Sequence, residues 1–172
     1  LSCSGTHNEI TCQDPESPVI ANSISNQKVS SFAEDTQGHI WIGTFRGLNR
    51  FNVHEFHQHF CTDDPNSLPD NQIQCLLKDS RGRLWVSTVN GMALYTDQDN
   101  FKRIQMESMS RNAVQLFEDR SGRIFINTSV SVAVYDEDEE MFKDLLSLNG
   151  GTLPMASQCF MTPSDDLLLA SS

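Results

Sequence analysis

Short apolar runs alternate with polar turns along the chain, and this alternation comes in units of four runs. The second run of each unit is apolar at both odd and even positions, as in Ile40–Thr44 and Leu84–Val86. A strand with one wet face would alternate, so these runs predict strands that are covered on both faces. A third run follows Gly47 or Gly91, and the fourth is more polar. Each unit therefore predicts four short antiparallel strands, and only residues 141–148 approach the spacing of a helix.

The units are copies of one another. Asp35–Thr44 returns 44 positions later as Asp79–Thr88, and again after another 40 positions as Asp119–Thr128. A more divergent fourth copy begins at Thr162. A period in the forties with four strands per unit is typical of β-propeller blades, so we predict an all-β fold of four-stranded antiparallel blades.

The repeated turn has its own chemistry. Gly38, Gly82 and Gly122 stand where a positive φ is needed, which glycine adopts without steric cost. An aspartate three residues earlier can bond the turn backbone. We therefore interpret the repeated aspartates as turn residues and not as an acidic catalytic triad; they are Asp35, Asp79 and Asp119.

The repeats predict the domain organisation. We expect an N-terminal segment over 1–21, blade 1 over 22–60, blade 2 over 61–104, blade 3 over 105–147 and part of a fourth blade over 148–172. Propellers close with about four to eight blades. The end blades of this arc would expose apolar faces, so we expect the rest of a propeller or a second copy to cover them.

Composition narrows the classes of partner. The net charge is −11, with 38% hydrophobic and 20% charged residues. These values are ordinary for a folded protein, but the acidity argues against nucleic acid and anionic membranes as partners. No apolar run is long enough to span a bilayer.

The five cysteines show neither metal-ligand spacing nor a paired framework, and we expect no metal or other cofactor. Cys3 and Cys12 are close enough in sequence for a local disulfide, whereas Cys75 and Cys159 fall at apolar strand positions. The segment Leu1–Gly5 is either the remainder of a lipoprotein-type processing site or an arbitrary boundary, which leaves Cys3 as a lipidation or disulfide candidate.

Residues 33–51 strongly resemble the two-component regulator propeller repeat, and residues 64–73 and 78–88 resemble its linker and next blade. The resemblance is clear over about 22–104 and fades afterwards, with departures at Ser87, Phe125 and Asn127. It implies the N-terminal part of a seven-bladed periplasmic sensor propeller in a hybrid two-component system. It also implies an oligosaccharide ligand, a homodimeric full-length sensor and a histidine kinase outside this chain.

Several side chains could be read as functional. Trp41 and Trp85 could stack on sugars, but their fixed place in the repeat favours packing between blades. Alternation on an outer strand places His57 and His59 on one face and His54 on the other, which disfavours a metal site. The acidic run 136–140 lacks the spacing of a calcium loop and is interpreted as a solvated turn.

Propeller ligands usually bind on loops at one mouth of the channel. The candidate ligand-binding residues are accordingly Phe45, Arg46, Asp70, Asn71 and Asn90. Arg46 is the first choice, because a guanidinium binds carboxylate or sulfate groups in a bidentate manner. We find no nucleophile with its base and predict no catalytic residues, so this fragment is expected not to be an enzyme. A propeller lyase or hydrolase acting on a carbohydrate or lactone, and a protein-binding scaffold, stay as alternatives.

Overall fold

The computed structural model describes residues 18–107, 113–128, 131–145, 158–162 and 167–170. Their regular elements are β-strands, and only Leu145 has helical backbone. The all-β prediction is confirmed. Residues 141–144 form a strand, as the four-strand unit predicts, although their spacing approaches that of a helix. Within the described residues, no helix has the length and apolar character that a membrane span requires.

Three four-stranded antiparallel sheets form the blades, and the strand order follows the sequence. Blade 1 contains β2 (Val29–Glu34), β3 (Ile40–Thr44), β4 (Gly47–Phe51) and β5 (Phe56–His59). Blade 2 contains β6 (Ile73–Lys78), β7 (Leu84–Thr88), β8 (Gly91–Tyr95) and β9 (Phe101–Met106). Blade 3 contains β10 (Ala113–Glu118), β11 (Ile124–Thr128), β12 (Val132–Asp136) and β13 (Met141–Asp144).

Three further strands complete the described elements. The strand β1 (Val19–Ala21) pairs with β5 and widens blade 1 to five strands. Strands β14 (Gln158–Met161) and β15 (Leu167–Ala170) pair as an antiparallel hairpin in the fourth repeat. Two parallel pairs between β13 and β9 connect the outer strands of blades 3 and 2.

The three blades share the same local geometry because they share the same turn sequence. Gly38, Gly82 and Gly122 have φ values of 83°, 82° and 82°, which confirms the positive φ expected from the repeat. Each inner strand also shifts register by one residue near its start, between Val29 and Ser31 in blade 1 and at the equivalent positions in blades 2 and 3.

The hydrophobic core lies between the blades. One buried cluster combines Trp41 and Leu48 of blade 1 with Ile73, Leu84 and other residues of blade 2. A second cluster combines blade 2 with blade 3 in the same way. Neighbouring blades bury the apolar faces that they turn toward each other, as expected for stacked repeats.

Candidate ligand-binding site

The five predicted ligand-binding residues lie at one edge of two neighbouring blades. Phe45 and Arg46 form the β3–β4 turn, and Asn90 lies in the β7–β8 turn. The linker that carries Asp70 and Asn71 runs beside both turns. Gly47 N donates to Asn71 O at 2.6 Å, and Val89 N donates to the next linker carbonyl, Gln72 O, at 3.1 Å. The structure therefore brings the five together, while their role in ligand binding stays a prediction.

The turn residues of this edge are open to solvent. Phe45 is 47% exposed, and its ring lies 5.5 Å from Lys28 Nζ. Arg46 and Asn90 are exposed as well. An aromatic ring flanked by cations and amides is suited to contact a polar ligand. Lys28 was not singled out from the sequence, because its approach to Phe45 depends on the Phe45 N to Lys28 O bond of 3.0 Å.

The two linker side chains already have structural partners. Asp70 is 9% exposed, and its Oδ1 accepts a hydrogen bond from Gln72 N at 2.9 Å. Asn71 Oδ1 accepts one from Cys61 N at 2.7 Å. These bonds fix the shape of the linker. Asp70 and Asn71 thus contribute mainly by positioning the edge on which the exposed turn residues stand.

A cavity of about 380 Å³ opens beside Asn90. Its walls come from the β7–β8 turn, from Pro69 in the linker and from the last part of β9, including Arg103 and Gln105. Ligand cavities usually measure about 300–1,000 Å³, so this one has the size for a small ligand. Sequence reasoning missed the contribution of β9, because Arg103 and Gln105 look like ordinary solvent-facing positions of an outer strand.

The two tryptophans are buried packing residues, as predicted. Trp41 and Trp85 are both 0% exposed. Each indole Nε1 donates to an aspartate Oδ2 at 2.9 Å, from Trp41 to Asp35 and from Trp85 to Asp79. A buried indole needs such an acceptor. The spacing of six residues between each aspartate and tryptophan could have revealed the pairing in the sequence.

The repeated aspartates serve their turns, which confirms the interpretation from the sequence. Asp79 Oδ1 accepts from Arg81 N at 3.1 Å and from Arg83 N at 2.8 Å. Burial acts to raise the pKa of Asp79, but hydrogen bonds from Trp85 and Arg83 outweigh it and hold the pKa below its ordinary value. Asp119 makes equivalent turn bonds to Ser121 N and Arg123 N.

The three histidines of blade 1 occupy different environments. His54 is exposed, and His57 Nε2 lies 3.1 Å from Glu55 Oε1. His59 is fully buried and stacks on Trp41 with ring centroids 5.5 Å apart. In the part of the chain that the structure describes, no three His, Cys, Asp or Glu side chains are grouped as a metal site would require.

His59 is neutral in the folded protein. Burial, followed by the positive charges of Arg50 and His57, lowers the pKa of His59 to about 3. Its Nε2 lies 3.6 Å from Asp99 Oδ1, which is too far for a hydrogen bond. Asp99 instead forms an ion pair with Arg50 at 3.0 Å. Neither ring nitrogen of His59 has a hydrogen-bond partner among the described residues.

The acidic run between β12 and β13 is a turn, as interpreted from the sequence. Asp136 Oδ1 accepts from Asp138 N at 3.0 Å and from Glu139 N at 2.9 Å. Lys143 Nζ lies 2.8 Å from Asp136 Oδ2, and Arg81 Nη1 lies 2.8 Å from Glu137 Oε1. Basic side chains therefore neutralise much of this segment.

The described cysteines are structural. Cys75 is a free thiol, and burial raises its pKa to about 12, which removes it as a nucleophile at neutral pH. Cys61 is disulfide-bonded. This bond was not expected from the spacing of the cysteines, and the suggested Cys3–Cys12 pairing lies outside the described residues.

Comparisons of structure place the fold. The chain is similar to the extracellular domain of a hybrid two-component system from B. thetaiotaomicron, with a TM-score of 0.76 and 17% identity over 88% of this chain and 24% of that one. The extracellular domain of a one-component system from the same organism gives 0.70 and 18%, over 86% and 23%. This chain thus spans about a quarter of either sensor domain.

Virginiamycin B lyase from Staphylococcus aureus shares the fold with a TM-score of 0.65 and 14% identity, over 88% of this chain and 52% of the lyase. The fold is therefore common to propellers with different functions. No curated protein matches the chain in sequence. The two-component regulator propeller family matches residues 23–46 and 67–90, which correspond to the first two repeated units. These two segments are repeats of the two-component regulator propeller family.

Proposed function

We propose that this chain is part of the extracytoplasmic ligand-sensing propeller of a hybrid two-component sensor. Its ligand is an oligosaccharide, and the signal passes through a sensor dimer to a histidine kinase outside this chain. The chain itself performs no catalysis. The family match of the first two repeats carries the proposal. A ligand that binds one dimer arrangement better than another shifts the population between them, which suffices for signalling.

The open edge of blades 1 and 2 supports the ligand-binding part. Rigid sheets hold the exposed Phe45, Arg46 and Asn90 at one edge, and Asn90 lines a cavity of about 380 Å³. Loops on a rigid scaffold are the usual location of binding residues. An aromatic ring with nearby cations and amides offers both stacking and hydrogen bonds to a sugar.

A periplasmic location is consistent with the disulfide at Cys61, because disulfides persist in oxidising compartments. It also fits the match to repeats of two-component regulators. We propose the periplasm on these grounds.

Blade 1 needs a neighbour on its outer side. Phe32 is 64% exposed and Ile40 is 36% exposed, whereas Leu84, which occupies the position of Ile40 in blade 2, is 2% exposed against blade 1. We propose that further blades or a second copy cover this face. A sharp monomer peak in sedimentation velocity, combined with reversible cooperative unfolding, would contradict this.

Thermal unfolding in the presence of oligosaccharides tests the ligand. A ligand at 100 times its dissociation constant stabilises the folded state by about 2.7 kcal/mol. We expect stabilisation by at least one oligosaccharide, and we expect Phe45→Ala to reduce it. Val53→Ala is the matched control, because Val53 is 75% exposed in the β4–β5 turn at the opposite edge.

The outcomes separate the classes of function. Turnover of the sugar would replace the sensor proposal with an enzyme. If no glycan in a broad set stabilises the protein, a protein-binding scaffold would be favoured.

A further inference from the structure

Arg103 on β9 is held in place by the linker between blades 1 and 2. Its Nε donates to Ser67 O, and its Nη2 donates to Leu68 O and to Ser67 Oγ, each at 3.2 Å. The linker is itself anchored, because Leu68 is 0% exposed in the core between these blades. The guanidinium is therefore ordered before any ligand arrives, and its side-chain entropy is already lost on folding.

The charge of Arg103 has no acidic partner in the described part of the chain. Four other arginines are paired with carboxylates: Arg50 with Asp99 at 3.0 Å, Arg81 with Glu137 at 2.8 Å, Arg83 with Asp79 at 2.6 Å and Arg123 with Asp119 at 2.6 Å. Arg103 bonds only to neutral oxygens, and no described residue accepts a hydrogen bond from its Nη1. In a chain with a net charge of −11, this leaves an ordered cation that an external anion could neutralise.

Arg103 is also part of the wall of the 380 Å³ cavity. The exposed amides of Asn90 and Gln105 are other wall residues, and the partly buried Met106 adds apolar surface. Amides can bond hydroxyl groups in either direction, while thioethers and methylenes pack against carbon. This combination fits a small ligand that has an anionic group, several hydroxyls and an apolar ring face.

We propose that this cavity binds a saccharide unit carrying a carboxylate or a sulfate, with the anion on Arg103. The inference rests on the ligand-binding role proposed above and names its anchoring group. The sequence favoured Arg46 as the residue that binds the anion. The structure favours Arg103, because the linker already holds its guanidinium in place. Arg103, like Arg46, is exposed, so a ligand can reach its guanidinium.

Isothermal titration with three sugars tests the inference: D-galacturonate, D-galactose 6-sulfate and D-galactose. We expect at least one anionic sugar to bind tenfold or more tightly than galactose. The anionic sugar that binds more tightly identifies the source of the charge, carboxylate or sulfate. Raising the ionic strength should weaken the binding of the preferred anionic sugar and leave the affinity for galactose unchanged.

Two variants locate the site. Gln105→Glu places a negative charge in the cavity at an exposed position, and it should weaken the anionic sugar at least tenfold without disturbing the Arg103 contacts. Arg103→Gln should abolish the preference for the anionic sugar. Arg81→Gln is the matched control, since it removes one exposed arginine outside the cavity and should change affinity less than twofold.

The results distinguish this inference from the proposed function. Equal binding of galacturonate, galactose 6-sulfate and galactose would overturn it, and so would full binding of the anionic sugar by Gln105→Glu. If a neutral oligosaccharide binds the chain and is insensitive to Gln105→Glu and Arg103→Gln, the sensor role stands and the anionic site is wrong. Because Arg103→Gln could also loosen the linker, its thermal unfolding should be measured beside that of Gln105→Glu.

Discussion

The interface between blades 1 and 2 and the interface between blades 2 and 3 use the same aromatic pair. Trp41 packs on Tyr95 with ring centroids 4.7 Å apart, and Trp85 packs on Tyr135 at 4.8 Å. An arginine lies over each indole, but from different places in the blade: Arg50 is in β4 in the first interface, and Arg83 immediately precedes β7 in the second. Both interfaces thus have the same aromatic packing, but the arginine over the indole occupies a different position in the repeat.

The strongest contrast is between His59 and Ile104. Strand pairing places both at the same position, since His59 faces Leu48 in blade 1 and Ile104 faces Met92 in blade 2. Both are buried, but His59 has no hydrogen-bond partner for its ring nitrogens among the described residues. A buried polar group without a partner costs stability. The interface between blades 1 and 2 is therefore destabilised by the buried imidazole of His59, whereas Ile104 causes no such cost in the interface between blades 2 and 3.

The two interfaces also differ in a pair of contacting residues at equivalent positions: Gly43 and Ile73 in the first, and Ser87 and Ala113 in the second. A Cβ on Gly43 would lie 2.7 Å from Ile73 Cγ2, so glycine is required there. Ser87 takes the position of Gly43 in blade 2, and Ala113 takes the position of Ile73 in blade 3. The smaller alanine leaves room for the serine, whose Oγ donates to Ala113 O at 2.6 Å. The departure of Ser87 from the repeat is thus matched in the neighbouring blade.

Removing either tryptophan should have the largest effect. Trp41→Ala and Trp85→Ala should each lower the free energy of unfolding by about 3–5 kcal/mol, because both fill a core between blades. Urea denaturation measures the change. A loss below about 1 kcal/mol at either position would contradict equivalent packing of the two interfaces.

Removing a turn aspartate should cost more stability in a blade whose aspartate bonds an indole than in blade 3, which has no tryptophan. Asp79→Ala should cost about 2–4 kcal/mol, because it leaves the buried Trp85 N–H without its acceptor. Asp119→Ala should cost about 1–2 kcal/mol, since Phe125 replaces the tryptophan in blade 3. Asp138→Ala, at an exposed position, should stay within about 0.5 kcal/mol in the same denaturation experiment.

Replacing His59 by the residue of blade 2 should stabilise the protein and change its pH dependence. His59→Ile should raise the free energy of unfolding by about 1–3 kcal/mol at neutral pH, because it removes a buried unpartnered group. The pKa of His59 is about 3 in the folded state, below the ordinary value of 6.5. Between these values the unfolded chain binds the extra proton, so stability falls as pH decreases, by up to about 1.4 kcal/mol per pH unit.

Urea denaturation at several pH values between about 4.5 and 7.5 measures this slope, above the range in which the aspartates contribute most. His59→Ile should reduce the slope of the unfolding free energy against pH by the amount that corresponds to about one bound proton. His54→Gln removes an exposed imidazole and is the matched control. Equal slopes for the wild-type chain and His59→Ile would show that His59 is protonated or exposed in the folded state.

The repeated pattern was sufficient to predict the strands, the glycine turns and the burial of Trp41 and Trp85. These features depend on neighbours within one unit, which the sequence displays directly. The shared edge of the linker and the two turns followed in the same way, from the strand order of one unit placed beside the next.

Other features depend on neighbours that sequence spacing does not show. Arg103 bonds to carbonyls of a linker about 35 residues away, and any residue provides a carbonyl, so no side-chain pattern marks the contact. His59 stands in a polar outer-strand segment that looks exposed, and only the docking of blade 2 buries it. Ser87 becomes explicable only once Ala113 is known to face it from blade 3.

The central claim is that each blade interface is specified by matched residues at repeat-equivalent positions, and a double-mutant cycle of Gly43→Ser and Ile73→Ala tests it most directly. Gly43→Ser alone should destabilise by about 1–3 kcal/mol through overpacking, and Ile73→Ala alone by about 2–5 kcal/mol through a cavity. The double variant, which reproduces the pair of blades 2 and 3, should lose at least about 1 kcal/mol less than the sum. Strict additivity in urea denaturation would contradict the claim, because Gly43 and Ile73 would then not face each other across the interface.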